Sequence, residues 1–139
     1  MDAIEKRVRA SFGRQGLMSA LGAEMTAVGA GTVEICCPFD KQHSQQHGFA
    51  HAGVITSILD SACGYAALSV APMEYEVLTV EFKVNLLAPA VGERFVARAV
   101  VKRAGKTLTI CSADAFAMKG DEEKLIATML ATMMRVPSV

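Results

Sequence analysis

An α+β fold, one long apolar helix wrapped by a curved antiparallel sheet, follows from three observations. Residues 47–70, HGFAHAGVITSILDSACGYAALSV, place Val54, Ile55, Ile58, Leu59, Ala62, Tyr65, Ala66 and Leu68 most of the way round a helix. A helix with no continuous polar face must be buried on nearly all sides. Four long β-prone runs follow it and supply the cover: LTVEFKVNLL, ERFVARAVVKR, KTLTICSADAFAM and EKLIATMLATMMRV. The tight turn RAGK and the polar break KGDEEK separate the last three, as in antiparallel neighbours. To cover one helix, such a sheet has to curl around it.

Each element has its own signal. In residues 1–21, Ile4, Val8 and Phe12, then Leu17, Met18 and Leu21, follow helical spacing interrupted at Gly13 and Gly16, which predicts a short helical cap. EMTAVGAGTVEICCPF reads as a hairpin around Gly29 to Gly31. DKQHSQQHGFAHAG is polar and aperiodic, a long loop of the kind that is usually functional or mobile. In LTVEFKVNLL the alternation predicts Leu78, Val80, Phe82, Val84 and Leu86 on the core face, with Thr79, Glu81, Lys83 and Asn85 on the solvent face. No repeat or linker divides the 139 residues, so the chain is expected to fold as one unit.

Composition excludes several function classes. Lys plus Arg and Asp plus Glu number 14 each, so no net field draws the molecule to nucleic acid or an anionic membrane. The central run is nearly long enough to cross a bilayer, yet it holds Asp60, Gly53, Gly64 and several hydroxyls without basic flanks, and a core helix is the better reading. MDAIEKRVRA mixes charges where a secretory leader would be basic and then apolar, and a cytoplasmic location is expected. Cys36, Cys37, Cys63 and Cys111 lack CxxC spacing and read as reduced, mostly buried thiols. His43 and His47 lie four apart in the loop without an acid or cysteine in a ligand pattern, and no metal is expected.

One residue stands out. Asp60 is the single carboxylate in an apolar helix, where an unpaired charge is strongly disfavoured. Either internal donors satisfy it, or it faces a cleft as a general base or nucleophile. Gly53, Ser57, Asp60, Gly64 and Ala67 recur at steps of three or four and form one line of small residues along the helix. Such a line leaves room beside the acid, or else permits close packing. The helix start near His51 to Gly53 offers unpaired N–H groups where a developing oxyanion would be stabilised. It lies about 10 Å along the axis from Asp60.

The run HGFAHAGVITSILDSACGYAA, followed by TVEFKVNLLAPAVGE and KRAGKTLTICSADAF, resembles the PaaI-like branch of the hotdog-fold acyl-CoA thioesterases. The likeness spans about residues 45 to 135 and includes a helix-opening His-x-Gly with an acid nine residues after the His. It implies a hotdog fold, homodimers with active sites at the dimer interface, and often homotetramers built as dimers of dimers. It also implies roles: Asp60 activates water or attacks the thioester carbonyl, an N–H of Ala52 or Gly53 polarises the carbonyl oxygen, and Gln45 helps place water or thioester. Ala52 stands where many members have glycine. A strand hydroxyl that orients the water in some members falls on Thr79, which the alternation turns away from its own helix, so that only a neighbouring subunit would supply it.

Further residues are candidates for substrate binding. Ser57 and Gly64 flank Asp60 on the small-residue line, and His51 either caps the helix, the favoured reading, or acts as a base. RAGKT lacks the earlier glycine of a phosphate-binding P-loop, where Val100 stands instead. Lys102, Arg103 and Lys106 at that turn either meet the phosphates of coenzyme A or form a solvated hairpin end. Coenzyme A would be part of the substrate, and no cofactor is expected. Two other functions compete with thioester hydrolysis: a non-catalytic acyl-CoA binding or sensing module, and a hotdog dehydratase or hydratase.

Overall fold

The computed structural model describes residues 1–138. Two short helices, α1 (Ala3–Phe12) and α2 (Gly16–Leu21), precede the hairpin β1 (Glu24–Gly29) and β2 (Thr32–Pro38). A loop with one short 3-10 turn then leads to the central helix α3 (Ala52–Val70). Four long strands complete the chain: β3 (Tyr75–Leu86), β4 (Arg94–Ala104), β5 (Leu108–Lys119) and β6 (Glu122–Pro137). All pairings are antiparallel, in the order β1-β2-β4-β5-β6-β3, so β1 and β3 are the sheet edges. This is the hotdog architecture.

The sheet can wrap closely because many of its inner side chains are small. Ala97, Ala99, Ala113, Ala115, Ala117, Ala127 and Ala131 are all buried against the core, and α3 supplies the bulk with Ile55, Ile58, Leu59 and Leu68. Alanines alternate along the inner sheet face with the large buried side chains Ile35, Phe95, Ile126, Met129 and Met133, so the sheet approaches the helix closely at the alanines. The helix that is apolar enough to span a bilayer by length and composition is buried inside this fold.

The N-terminal helices lie over α3. Asp2 caps α1 by accepting the Glu5 N–H at 2.7 Å, and Val8 is its fully buried contact. From α1, the Arg7 guanidinium donates to the carbonyls of Leu68, Ala71, Pro72 and Tyr75. Those carbonyls belong to the last turn of α3, the connection and the first residue of β3, so Arg7 ties the two elements together where orphan helix carbonyls need donors.

Strand β3 departs from the strict alternation. A bulge between Thr79 and Glu81 inserts Val80 unpaired. Before the bulge Thr79 pairs with buried Met133; after it Phe82, Val84 and Leu86 pair with buried Ala131, Met129 and Ala127. Leu78 is instead opposite the exposed Met134 and is itself 61% exposed. A single extra residue reverses which face every later side chain occupies. The expectation that Leu78 and Val80 share the core face, and that Thr79 turns away from its own helix, is therefore corrected; at this sheet edge Phe82 and Leu86 are also exposed, and of the five only Val84 is half-buried.

Candidate active site

The start of α3 is built by its own loop. Gln45 Oε1 accepts the N–H groups of His47 and Phe49 at 2.5 and 3.2 Å, and its amide nitrogen has no acceptor among the described residues. Gly48 in the same loop has φ +82°, a conformation costly for any side chain. His51 is the N-cap of α3: its Nδ1 accepts the Gly53 N–H at 2.7 Å. A Cβ on residue 53 would lie 2.9 Å from that nitrogen, so any larger residue there would push the capping imidazole aside. The Ala52 N–H has no acceptor among the described residues. Ala52, Gln45 and His51 line a depression of about 540 Å³ whose walls are otherwise mainly apolar, with Phe49, Ile55, Leu86 and Leu87.

Asp60 lies in a second, smaller cavity of about 240 Å³, and it is half-buried, not enclosed as the apolar run implied. Its Oδ1 accepts the Thr79 hydroxyl of the same chain at 2.8 Å. That is the contact the bulge makes possible. No other described residue donates to Asp60, so Oδ2 is open to the cavity. Gly64, one turn further on, has open space where a side chain would begin, and it lines the same cavity. The line Gly53, Ser57, Asp60 and Gly64 is the stripe of α3 left uncovered, whereas Ala67 at its end is fully buried.

Residues that sequence reasoning missed complete this cavity. Ser61 donates to Gln15 Oε1 at 3.0 Å, and the Ser11 and Tyr65 hydroxyls are 3.2 Å apart. Glu76 stands on the β3 wall. Burial pushes the Tyr65 hydroxyl above the usual phenol range, so it stays a neutral hydroxyl. Ser61 and Tyr65 adjoin Asp60 on the helix and were legible from spacing; Ser11 and Gln15 come from the cap, and only its docking brings them in.

The other sequence candidates are elsewhere. Ser57 donates its hydroxyl to the Gly53 carbonyl and, with Gly53 and His43, borders a separate shallow groove. Lys102, Arg103 and Lys106 follow Val101, which sits beside Val70 at the far end of α3, and they line neither cavity. Burial pushes the Cys37 and Cys111 thiols up to about 11 and that of Cys63 higher still. Such thiols are inert at neutral pH. Among the described residues no group of histidine, cysteine and acid could hold a metal.

A hotdog fold carrying a helix-borne acid that reaches a cavity, with an unpaired N–H at the helix start, defines a class of thioester hydrolase. Residues 47–124 match the thioesterase superfamily model, and the chain belongs to that family. A thioesterase family protein from Silicibacter pomeroyi has a crystal structure that superposes with a TM-score of 0.96, at 51% identity over 98% of this chain and 100% of that one. The E. coli PaaI protein, from the phenylacetic acid degradation operon, superposes at 0.88 over 98% and 95% of the two chains with 18% identity, a likeness of fold alone. A curated relative from Halobacterium salinarum, provisionally named an esterase, is 30% identical over 100 residues, which are 68% of this chain and 66% of that one.

Proposed function

We propose that the protein hydrolyses acyl-CoA thioesters to the free acid and coenzyme A, with Asp60 as the reacting carboxylate. The observation that carries this reading is the division of labour on Asp60: one oxygen is held by Thr79 and the other is open to a cavity. As a base, Asp60 takes a proton from water while the oxygen attacks the carbonyl carbon; the C–S bond then breaks and the thiolate leaves, to be protonated. As a nucleophile, its oxygen bonds to the carbonyl carbon, the thiolate leaves, and water cleaves the resulting anhydride. Thioesters are activated enough for one acid, one oxyanion donor and positioning to suffice.

The oxyanion donor is the Ala52 N–H, because the Gly53 N–H is already taken by His51. Gln45 supplies a second donor beside it. These groups and Asp60 line different depressions of one chain, some 12 Å apart along α3 at 1.5 Å per residue. A second copy joins them. The edge strand β3 exposes Leu78, Val80, Phe82 and Leu86, and a long apolar edge of this kind needs a partner. A homodimer along it sets the helix start of one copy against Asp60 of the other. A further contact through the outer sheet face, where Val100, Leu125 and Leu130 are exposed, makes a dimer of dimers. Lys102, Arg103 and Lys106 then bind coenzyme A only across such an interface. Reduced cysteines and a coenzyme A substrate suit the cytoplasm.

The test is thiol release from a panel of acyl-CoAs. Turnover that vanishes in Asp60→Asn, with acyl-CoA binding kept, supports hydrolysis; binding without turnover in the natural chain points instead to a sensing module.

A further inference from the structure

The cavity beside Asp60 has a shape and a lining that select the acyl group. It runs along α3 from Asp60 past Gly64 to Leu68, about 12 Å at the helical rise, between the start of β3 and the N-terminal helices. Coenzyme A is too large and too charged to enter it, whereas a short acyl group whose carbonyl sits at Asp60 fits its length. At the far end Ser11, Leu68 and Glu76 form a partition, since these three also border the outer groove on α1. Arg7 pins α1 at that place through its bonds to the last turn of α3 and the start of β3.

The walls are polar for an acyl pocket. Gln15 spends its carbonyl oxygen on the Ser61 hydroxyl, and its side chain also hydrogen-bonds the Tyr65 hydroxyl, so the three groups form one polar cluster on the wall. The Ser11 and Tyr65 hydroxyls share one hydrogen bond and retain further capacity. Glu76 contributes an acceptor and a negative charge. A long alkyl chain would have to displace these groups and leave them without partners, whereas a group that both donates and accepts would complete them. A terminal carboxylate would meet the charge of Glu76 inside the cavity, while Arg14, the cation near Tyr65, borders the outer groove instead.

We infer that the N-terminal helices are the specificity gate of the enzyme: Gln15 and Ser11, held against Ser61 and Tyr65, restrict it to short acyl groups that end in a neutral hydrogen-bonding group. The inference rests on the thioesterase reading above and deepens it.

The experiment compares kcat/KM for hexanoyl-, ω-hydroxyhexanoyl-, adipoyl- and palmitoyl-CoA, with the full-length chain. ω-Hydroxyhexanoyl-CoA should exceed hexanoyl-CoA by about tenfold or more, as sites that hydrogen-bond their substrate reject analogues lacking the group. Palmitoyl- and adipoyl-CoA should be the poorest. Gln15→Leu should bring the ratio of hydroxylated to plain hexanoyl towards one, and Tyr65→Phe on the opposite wall should lower it independently, with thermal melting confirming that both variants fold. Equal rates on the two hexanoyl thioesters, or a preference for palmitoyl-CoA in the natural chain, would overturn the gate while leaving the thioesterase reading intact. Turnover of no thioester at all would overturn both.

Discussion

The two depressions on α3 differ in almost every property, although one helix serves both. The one at the helix start is larger, mainly apolar, and holds donors: the free Ala52 N–H and the Gln45 amide. The one at mid-helix is smaller, polar, and holds acceptors: the open oxygen of Asp60 and the carboxyl of Glu76. Hydrolysis needs a donor for the carbonyl oxygen and an acceptor for the proton of water, so under the proposed function each depression would supply half of a site. On the proposed mechanism the chain alone would be catalytically incomplete, and experiments that damage one half at a time can break that reading.

The largest effect should come from the acid. Asp60→Asn removes the base or nucleophile and should lower kcat by about 10³-fold, as loss of a positioned acid–base group usually does; steady-state thiol release measures it, and a fall of less than tenfold would remove Asp60 from the chemistry. Next is the donor. Ala52→Pro deletes one N–H at the first helical position, where proline is well tolerated, so stability should hold while kcat falls about 10²-fold.

Mixing these two variants sharpens the comparison. If each site takes Asp60 from one copy and Ala52 from the other, mixed dimers contain one intact site and activity returns towards a quarter of the natural level after random exchange, an expectation that is roughly statistical. No recovery, with exchange verified by mass, would place both halves within one chain. Thr79→Val should cost about tenfold in kcat through loss of the hydrogen bond that holds Asp60, with a smaller change in KM.

Smaller effects follow from packing. Gly64→Ala meets no neighbour, so it should raise stability by up to about 1 kcal/mol by helix propensity while lowering kcat/KM, because the methyl group enters the cavity. Denaturant melts and kinetics on one preparation would show whether the two move in opposite directions. Among the thiols, groups raised to about 11 are thiolate in only roughly one molecule per thousand at pH 8, so Cys37 and Cys111 should resist a thiol reagent until the protein unfolds. Half-buried Cys36, also raised by burial, should be the first to react.

Much of this was readable before any coordinates. The all-round apolar pattern of residues 52–70 required a buried helix, and the steps from Gly53 to Gly64 marked the stripe that stays open. Asp60 drew notice because acids are scarce in such helices, but the reading of it as enclosed was too strong: the pattern reports how apolar the neighbours are in sequence, not which side faces a cavity. Thr79 was misplaced because alternation assumes an unbroken ladder, and no residue type near Val80 announces a bulge. Gln15 and Ser11 escaped notice since nothing in their own neighbourhood points towards residues 46 and 54 positions away.

Local patterns are set by side-chain periodicity, and periodicity is written in the chain; it determined the helix, the strands, their wrapped arrangement and the acid worth attention. Which side chains meet depends on register and on how separate elements dock. The bulge that turned Thr79 inward, the capping histidine that engaged the Gly53 N–H and not that of Ala52, and the helical cap that lined the cavity beside Asp60 were therefore decided only by the tertiary structure, where one residue of slip or a few ångströms of docking changes the partner.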